Sequence, residues 1–598
     1  MDESVEKFIL EKTEGVPFFI EEFIKSIRDL KIIEKEDSKY HMGRDIQDVN
    51  IPSTIQDVIM ARVDSLSEGA KDVLQAGSVI EREFSWELIK KVTGFSEQAL
   101  ISDLFALKDS ELIYERGIYP QSSYIFKHAL TQEVVYSSIL KARRKKLHNA
   151  IGLSIEALYE KNIKEQYGVL AEHFFESENY AKAEKYLRLT AKEARKKSAF
   201  LDAIAYAEKG IICAEKVSDS EADQRKIVDA RALLAGYHMS LNHHVRAKEA
   251  VTPIVELARR MRYQKRLPTI YVALGSYYLL VDEDYSKGIQ FLNEALKISK
   301  ENEDYFSMWT AYWFSALGCY YENEVEKSID CLNKGLTLSG RTNNPGPKIF
   351  LKSYIITWFH TWQGNISKAH KEGLSCLRAA QESGDIYYQT PASICYGVLS
   401  YVKGDFEIAE SYLLQALAFS EKTGHYTNWM TACEHIFELF ISKGEYQKAQ
   451  SYYEKMISIL EPTKYRPSEI GLYKVGLARA RVLGSGQDID VDKLLEYCRN
   501  IRSKRMQNKC SRYICEILLN IDSHINRADE WLKKIIKADR RDKFRFFLGQ
   551  DYALYAELYK RSGNQSKAKE HLSKAVEIYK ECDADGWVEK YEKEMAEL

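Results

Sequence analysis

Past residue 167 one pattern of apolar and polar positions returns along the chain. An apolar stretch at helical spacing leads into a short polar turn, then an aromatic or apolar residue, then Lys or Arg followed by a small residue. It reads Asn179-Tyr180-Ala181-Lys182-Ala183, His244-Val245-Arg246-Ala247, Tyr285-Ser286-Lys287-Gly288 and Val325-Glu326-Lys327-Ser328. Ile366-Ser367-Lys368-Ala369, Phe406-Glu407-Ile408-Ala409 and Tyr446-Gln447-Lys448-Ala449 continue it, and Ile525-Asn526-Arg527-Ala528 and Gln565-Ser566-Lys567-Ala568 close it. From 247 to 449 the closing residues stand 41, 40, 41, 40 and 40 apart; Ala528 follows after 79 and Ala568 after another 40. The skipped unit near 490 is degenerate, with its turn expected at Gly484-Ser485-Gly486-Gln487. Each unit predicts a helix, a turn and a second helix. Small residues twelve before the closing one (Ala171, Ala316, Gly397, Ala556) and seven after it (Thr190, Ala295, Gly335, Ala416, Ala575) let the two helices approach. Leu187, Leu292, Leu332, Leu413 and Leu572 fill the space between them. Thr357 and Phe437 break the small-residue rule, so less regular packing is expected in their units.

This series resembles a tetratricopeptide solenoid, with a period nearer 40 than the usual 34 or so. The longer period is similar to that found in large signalling ATPases and in the bacterial maltose-regulon activator. A one-dimensional stack of this kind buries a continuous core and presents a concave face suited to binding a protein partner, a peptide or another ligand.

Residues 1–160 follow a different grammar. Ile51-Pro52-Ser53-Thr54 opens a helix carrying Ile55, Val58, Ile59, Arg62 and Val63, and Ser67 caps a second with Val73, Leu74 and Val79. Trp86 to Val92 and Ala99 to Leu107 give two more. Two β-rich runs follow, Leu112-Ile113-Tyr114-Glu115-Arg116-Gly117 and Tyr124-Ile125-Phe126, around a break at Pro120-Gln121-Ser122-Ser123. This order describes a winged-helix domain, and helices over 129–140 and 142–160 lead into the repeats. The expected organisation is a separate N-terminal segment at 1–50, a winged helix at 51–145, a connecting helix at 146–166 and about ten helix pairs at 167–598: an all-α chain with a small β-wing.

Several segments of this region resemble, as an ordered set, the C-terminal part of STAND-class signalling ATPases linked to class III adenylate/guanylate cyclases. They are Gly15-Val16-Pro17-Phe18-Phe19-Ile20-Glu21-Glu22, Ile51 to Ile59, Ala61-Arg62-Val63-Asp64-Ser65-Leu66, Leu74 to Ile80, Phe126-Lys127-His128-Ala129-Leu130 and Arg144-Lys145-Lys146-Leu147-His148. The resemblance implies that residues 1–50 are the remnant of an ATPase helical lid, that Pro17 packs near the adenine of a bound nucleotide and that His128 contacts its phosphates. It also implies that the solenoid senses a ligand or partner and controls an attached ATPase and cyclase. The chain departs from that family in having no Gly-x-x-x-x-Gly-Lys-Ser/Thr, and no room for one before Gly15. The phosphate cradle, its Lys and its Mg²⁺-holding hydroxyl are missing. No cofactor is therefore expected in this chain, ATP or ADP and Mg²⁺ entering only with an ATPase half. The chain reads as non-catalytic, either the back half of a split or truncated parent or a degenerate relative kept as an adaptor.

Composition supports a helical, folded chain. Only 10 of 598 residues are Pro, against about 5% in average usage, and none lies between Pro120 and Pro253 or after Pro467. Hydrophobic content of 45% and charged content of 29% exclude a disordered or fibrous chain. No stretch approaches the roughly 18 apolar residues of a membrane span, and the acidic start Met1-Asp2-Glu3-Ser4-Val5-Glu6 lacks a signal-peptide pattern. The 10 cysteines, none before Cys213 and none in CxxC, suggest a reduced, cytoplasmic setting. With 86 basic and 88 acidic residues the chain is not a globally basic nucleic-acid binder. Lys141, Arg143, Arg144, Lys145 and Lys146 could touch DNA phosphates, but residues 1–160 hold 28 acidic against 21 basic residues, which favours a solvated helix face. Asp488-Ile489-Asp490-Val491-Asp492 lacks the glycine and the bidentate Glu of a calcium loop.

Aromatic residues concentrate in the first helices of four successive units: Trp309, Tyr312, Trp313, Phe314, Trp358, Trp362, Tyr388, Tyr396 and Trp429. First helices line the concave face in tetratricopeptide arrays, so Tyr312, Trp313, Trp358, Trp362, Tyr388, Tyr396 and Trp429 form the candidate partner-binding set, with ordinary core packing as the competing reading. On the binding reading, replacing Trp313 and Trp358 by Ala abolishes partner binding without unfolding the array. Three functions stay open: regulatory arm of a signalling ATPase, free-standing adaptor, and winged-helix transcriptional regulator.

Overall fold

The computed structural model describes residues 3–13, 17–29, 33–36, 39–42, 54–197, 199–217, 220–341, 345–463, 465–485, 489–521 and 524–598. Its contacts divide it into two compact units, residues 1–190 with 209–217, and residues 191–208 with 218–598.

The first unit opens with helices Glu3–Thr13 and Pro17–Asp29 and an antiparallel hairpin, Ile33–Glu36 with Lys39–Met42. Ile9, Phe23, Ile27 and Ile33 share a core with Val58 of the next helix. Helices Ile55–Asp64, Glu68–Ile80, Trp86–Thr93 and Glu97–Asp109 follow. Each begins at a hydroxyl cap: Thr54, Ser67, Ser85 and Ser96 accept from the backbone N–H of Asp57, Ala70, Leu88 and Ala99, worth about 1 kcal/mol apiece. Strands Ile113–Arg116 and Ser123–Phe126 pair antiparallel, as the sequence predicts. A third strand, Glu83–Ser85, joins the far edge of Ser123–Phe126. The sequence does not announce it, because three residues with one inward side chain, Phe84, are too short to show alternation. Phe84 settles against Gly77, where an added Cβ would lie 2.5 Å from its ring. Helices Ala129–Ser138 and Lys141–Leu158 then lead to the first repeat pair, Tyr167–Glu176 and Tyr180–Lys196.

Between Ala183 and Ala247 the interval is 64 residues rather than about 40, and an additional helix, Phe200–Lys216, takes up the excess. From there the second unit is regular: helix pairs run from Glu221–Ser240 with His244–Val251 to Arg545–Arg561 with Gln565–Glu581. Leu292, Leu332, Leu413 and Leu572 are fully buried between their paired helices. The small residues opposite are obligatory: a Cβ on Gly397 would meet Leu413 at 2.8 Å, and one on Gly275 would meet Leu292 at 2.9 Å.

The two departures behave differently. At Thr357 the helix widens into a π-helical turn, Ile356–His360, with the hydroxyl of Thr361 donating to the carbonyl of Ile356 at 2.8 Å. At Phe437 helix Tyr426–Lys443 stays regular and the ring stacks on Tyr453, centroids 3.6 Å apart. One expectation needs correction. Gly484 and Ser485 lie inside helix Pro467–Ser485, and the next helix starts at Val491 with Asp490 accepting from the N–H of Lys493. Residues 486–488, which hold the rest of the expected turn and Asp488, lie outside the described residues. The charged end of the chain is a helix, Asp585–Ala596, with Trp587 buried.

The second unit coils back on itself. Residues about 150–220 positions apart meet along a seam: the N–H of Arg466 donates to the carbonyl of Leu280 at 2.8 Å, and the backbone N–H and hydroxyl of Ser468 donate to Glu283 at 2.9 and 2.6 Å. Farther on, Ser503 donates to the carbonyl of Tyr321, the N–H of Phe546 to that of Trp362, and the indole of Trp587 to that of Tyr401, at 3.0, 3.1 and 3.1 Å. Gly404 and Gly586 touch backbone to backbone across this seam; a Cβ on Gly586 would lie 2.7 Å from the Cα of Gly404.

Gly586→Ala is expected to lower stability by about 2 kcal/mol through overpacking at the seam. Gly444, at φ +75° with open space around its Cβ position, provides the control: Gly444→Ala carries backbone strain of about 1 kcal/mol without touching the seam. Thermal unfolding combined with hydrogen exchange checks this. Faster exchange in residues 585–596 is expected for Gly586→Ala alone.

Candidate functional site

Coiling encloses a lumen of about 620 Å³ in the second unit. Its wall is built from single faces of the helices that point inward, so the lining residues recur at helical spacing. Glu434, His435 and Glu438 come from helix Tyr426–Lys443; Arg505, Lys509, Arg512 and Glu516 from Lys504–Leu519; Trp587, Lys590, Tyr591 and Glu594 from Asp585–Ala596. Tyr320, Trp358 and Trp362 supply an aromatic side, with Phe547 stacked on Trp362 at 4.6 Å between centroids.

Buried and partly buried ion pairs order the charged side. Lys509 lies 3.2 Å from Glu434, and Arg479 lies 2.9 Å from Glu438 and 2.8 Å from Glu516. Arg466 pairs with Glu469 at 3.0 Å, where Tyr321 donates at 2.7 Å and Tyr473 at 3.1 Å. Arg512 pairs with Asp539 and, at 2.8 Å, with Asp551. Burial pushes the Glu438 carboxyl up, but the charges of Arg479 and Lys509 and a hydrogen bond from Tyr513 outweigh it and hold the pKa at about 2. Burial, reinforced by the Lys509 charge, pushes His435 down to about 4, so its imidazole is neutral near pH 7.

The aromatic candidates separate. Trp358 and Trp362 line the lumen, whereas Trp313 lines a second cavity of about 270 Å³ with Trp309, Phe314 and Tyr387. Tyr312, 9% exposed, packs beside Gly335. Tyr388 and Tyr396 pack against Ile349, Leu377, Ala380 and Ala392. Trp429 donates to Glu421 at 3.4 Å and lies under Lys455. Trp313 and Trp358 stack at 5.4 Å and are 8% and 7% exposed. Replacing either by Ala therefore removes core packing worth about 3–5 kcal/mol, against the expectation that the array tolerates the change. The inward charges were not singled out in the sequence, although Glu434/Glu438 and Arg505/Lys509/Arg512/Glu516 repeat at i, i+3 and i, i+4 on first helices.

In the first unit Pro17 is exposed at the start of its helix, with Gly15 and Val16 outside the described residues. His128 precedes helix Ala129–Ser138, and its ring comes close to Glu21 and Glu22, possible ligand atoms of the three lying within 4.8 Å of one another. Cations already hold these carboxylates: Lys127 and Lys25 both reach Glu21 at 2.8 Å, and Arg62 pairs with Glu22. Hydrogen bonds from Lys127 and Lys25 hold Glu21 at about 2. Three cations in so small a cluster oppose a metal ion. Of the basic run, Arg143 pairs with Asp72, Lys145 with Glu178, and Arg144 lies 4.7 Å over Tyr136.

Residues 552–582 match the tetratricopeptide repeat family. The array is a helical solenoid of the tetratricopeptide type. An uncharacterized protein of Rhizobium meliloti (strain 1021) is 22% identical over 221 residues, which is 37% of this chain and 21% of that protein, so the match spans about a fifth of the relative's length. Among solved structures, a STAND protein with a tetratricopeptide repeat sensor from Pyrococcus horikoshii is similar over 85% of this chain and 71% of its own, at 14% identity and TM-score 0.45. A Rap protein complexed with Competence and Sporulation Factor is similar over 63% of this chain and 99% of its own, at 16% identity and TM-score 0.41. Among the described residues no helix is long and apolar enough to cross a membrane.

Because Glu438 has its pKa lowered in the folded state, its stabilising contribution is present above its unfolded pKa of about 4.3 and is lost as pH falls through 2. Glu438→Gln is expected to destabilise at pH 7 by about 3 kcal/mol by leaving Arg479 half-paired. That deficit shrinks between about pH 4.5 and 2, as denaturant melts of both proteins across that range would measure.

Proposed function

We propose that this chain is a non-catalytic regulatory arm whose solenoid binds a protein or peptide segment in its lumen. The observation that carries this reading is the lumen itself. A solenoid needs its inter-helix core for stability, but not an open cavity lined with aromatic rings and ordered charges. A volume of about 620 Å³ falls within the range of small-ligand and short-peptide sites.

The first unit supports the regulatory part of the reading. Four capped helices and a three-stranded antiparallel sheet follow in the order of a winged helix, and the short segment before them packs on its first helix through Val58. His128 lies close to Glu21 and Glu22 of the segment that precedes these helices, so a nucleotide contact at His128 would fall beside that segment. On this reading an ATPase half, and through it a cyclase, is the controlled element. Adenine nucleotide and Mg²⁺ would then be held mainly by that half, with Pro17 and His128 as contacts. Ligand in the lumen would bias one arrangement of arm and ATPase over another, as any two-state switch requires.

Selection from a random peptide library, followed by calorimetry, tests lumen binding. Gln550→Trp, which fills the lumen, is expected to weaken a selected peptide at least tenfold. Lys334→Ala, on an exposed position, is expected to leave it unchanged. Equal binding by wild type and Gln550→Trp contradicts the reading.

A further inference from the structure

The cavity that Trp313 lines, about 270 Å³, gathers buried polar groups that the chain does not satisfy. Among the described residues, the hydroxyl of Tyr237, the Nδ2 of Asn242 and the indole Nε1 of Trp309 are buried without a hydrogen-bond partner, and all three residues line this cavity. They come from the end of helix Glu221–Ser240, the turn after it, and helix Tyr305–Tyr321. A buried donor left unpaired costs stability, so a native fold rarely collects several in one place. Asn242 is held there by its Oδ1, which accepts from Thr427 at 2.7 Å across the seam. Tyr237 is 1% exposed, and burial pushes its hydroxyl up to about 12 against the charge of Arg195, so it keeps its proton near pH 7. All three unpaired groups are donors, and only the Tyr237 oxygen can also accept.

The rest of the wall suits a flat molecule. Trp313, Phe314, Phe350 and Tyr387 present rings to the cavity. Gly236, beside Tyr237 in the same helix, also lines it, and a Cβ there would meet nothing within 4 Å. Glycine inside a helix is less favourable than alanine, and here no neighbouring atom requires it. Phe306 opens the cavity to the surface: it is 61% exposed, with the Arg195 guanidinium 5.4 Å over its ring. Other charges beside the cavity are engaged, Arg266 by Asp229 at 2.5 Å and Asp304 by the N–H of Ser307 at 3.1 Å. A charged ligand would give up hydration that uncharged donors and rings do not replace. The volume falls just below the range of about 300–1,000 Å³ that holds drug-sized ligands, too little for a peptide of several residues.

We infer that this cavity is a second binding site, for a neutral molecule of roughly two fused rings whose carbonyl oxygens or ring nitrogens accept from Tyr237, Asn242 and Trp309. It is independent of the peptide reading of the lumen, with which it shares Thr427 alone among the lining residues.

Ligand-observed NMR titrations of the full chain with caffeine, coumarin and quinoxaline test the assignment. These are neutral fused-ring molecules with acceptors and no donor; N-methylindole lacks the acceptor, and coumarin carboxylate adds a charge. At least one acceptor probe is expected to bind, about tenfold or more tighter than N-methylindole and coumarin carboxylate. Tyr237→Phe, which removes a hydroxyl that has no partner in the chain, is expected to weaken that probe about tenfold with the melting temperature unchanged. Gly236→Leu, which fills the cavity, is expected to abolish binding in a folded array, and Gln550→Trp in the lumen to leave it unchanged. Failure of all three acceptor probes to bind at millimolar concentration would overturn the inference, as would equal binding of N-methylindole, tighter binding of coumarin carboxylate, or an affinity unmoved by Gly236→Leu. Loss of binding in Gln550→Trp alone would place the probe in the lumen, overturning the second site while leaving the lumen reading intact.

Discussion

Everything distinctive in the second unit depends on the seam along which the solenoid meets itself. A stack of helix pairs contacts only its neighbours, and its stability would then be a sum of local terms. Here the carbonyls of Leu280, Tyr321, Trp362 and Tyr401 accept hydrogen bonds from residues in later repeats, and Glu283 receives both donors of Ser468. The glycine pair Gly404 and Gly586 allows the backbones to approach without side chains between them. Long-range contacts of this kind tie together distant repeats, which a linear stack leaves independent.

The same closure turns an open concave groove into a confined lumen. Confinement explains why its charges are arranged so fully. A carboxylate on an open concave face would be solvated by bulk water, whereas inside the coil Glu438, Glu469 and Asp551 depend on Arg479, Arg466 and Arg512. It also explains the division of the aromatic residues. Trp358 and Trp362 serve the lumen wall and the packing at once, Trp362 stacking on Phe547 from a repeat far along the chain. Tyr388 and Tyr396 pack against adjacent helices, and Trp429 donates to Glu421.

Much of this was legible in the sequence where the physics is local. The 40-residue period, the buried leucines at Leu292, Leu332, Leu413 and Leu572, and the caps at Thr54 and Ser67 all follow from neighbours within one turn or one repeat. The irregularity expected in the unit of Thr357 takes the form of a π-helical turn, Ile356–His360. Long-range features were not legible. The strand Glu83–Ser85 exists only because Ser123–Phe126 offers it an edge. Helix Asp585–Ala596 is rich in charge, and its buried side shows only in the packing of Trp587 against Tyr401. Glu434, Arg479 and Lys509 read as ordinary solvated charges, since nothing local reveals that the coil will close around them.

The most direct test of closure is a distance measurement across the seam in solution. Ser367 and Asp583 are 216 positions apart, yet the hydroxyl of one lies 2.7 Å from the carboxylate of the other, and both are open to solvent. With cysteines placed at these two positions, a short bifunctional thiol reagent is predicted to bridge them in the folded full-length chain, with peptide mapping to locate the link. The bridge should be lost in denaturant. A folded protein in which 367 and 583 are modified separately and never bridged would mean that the solenoid stands open, and the lumen with its ordered charges would not exist in solution.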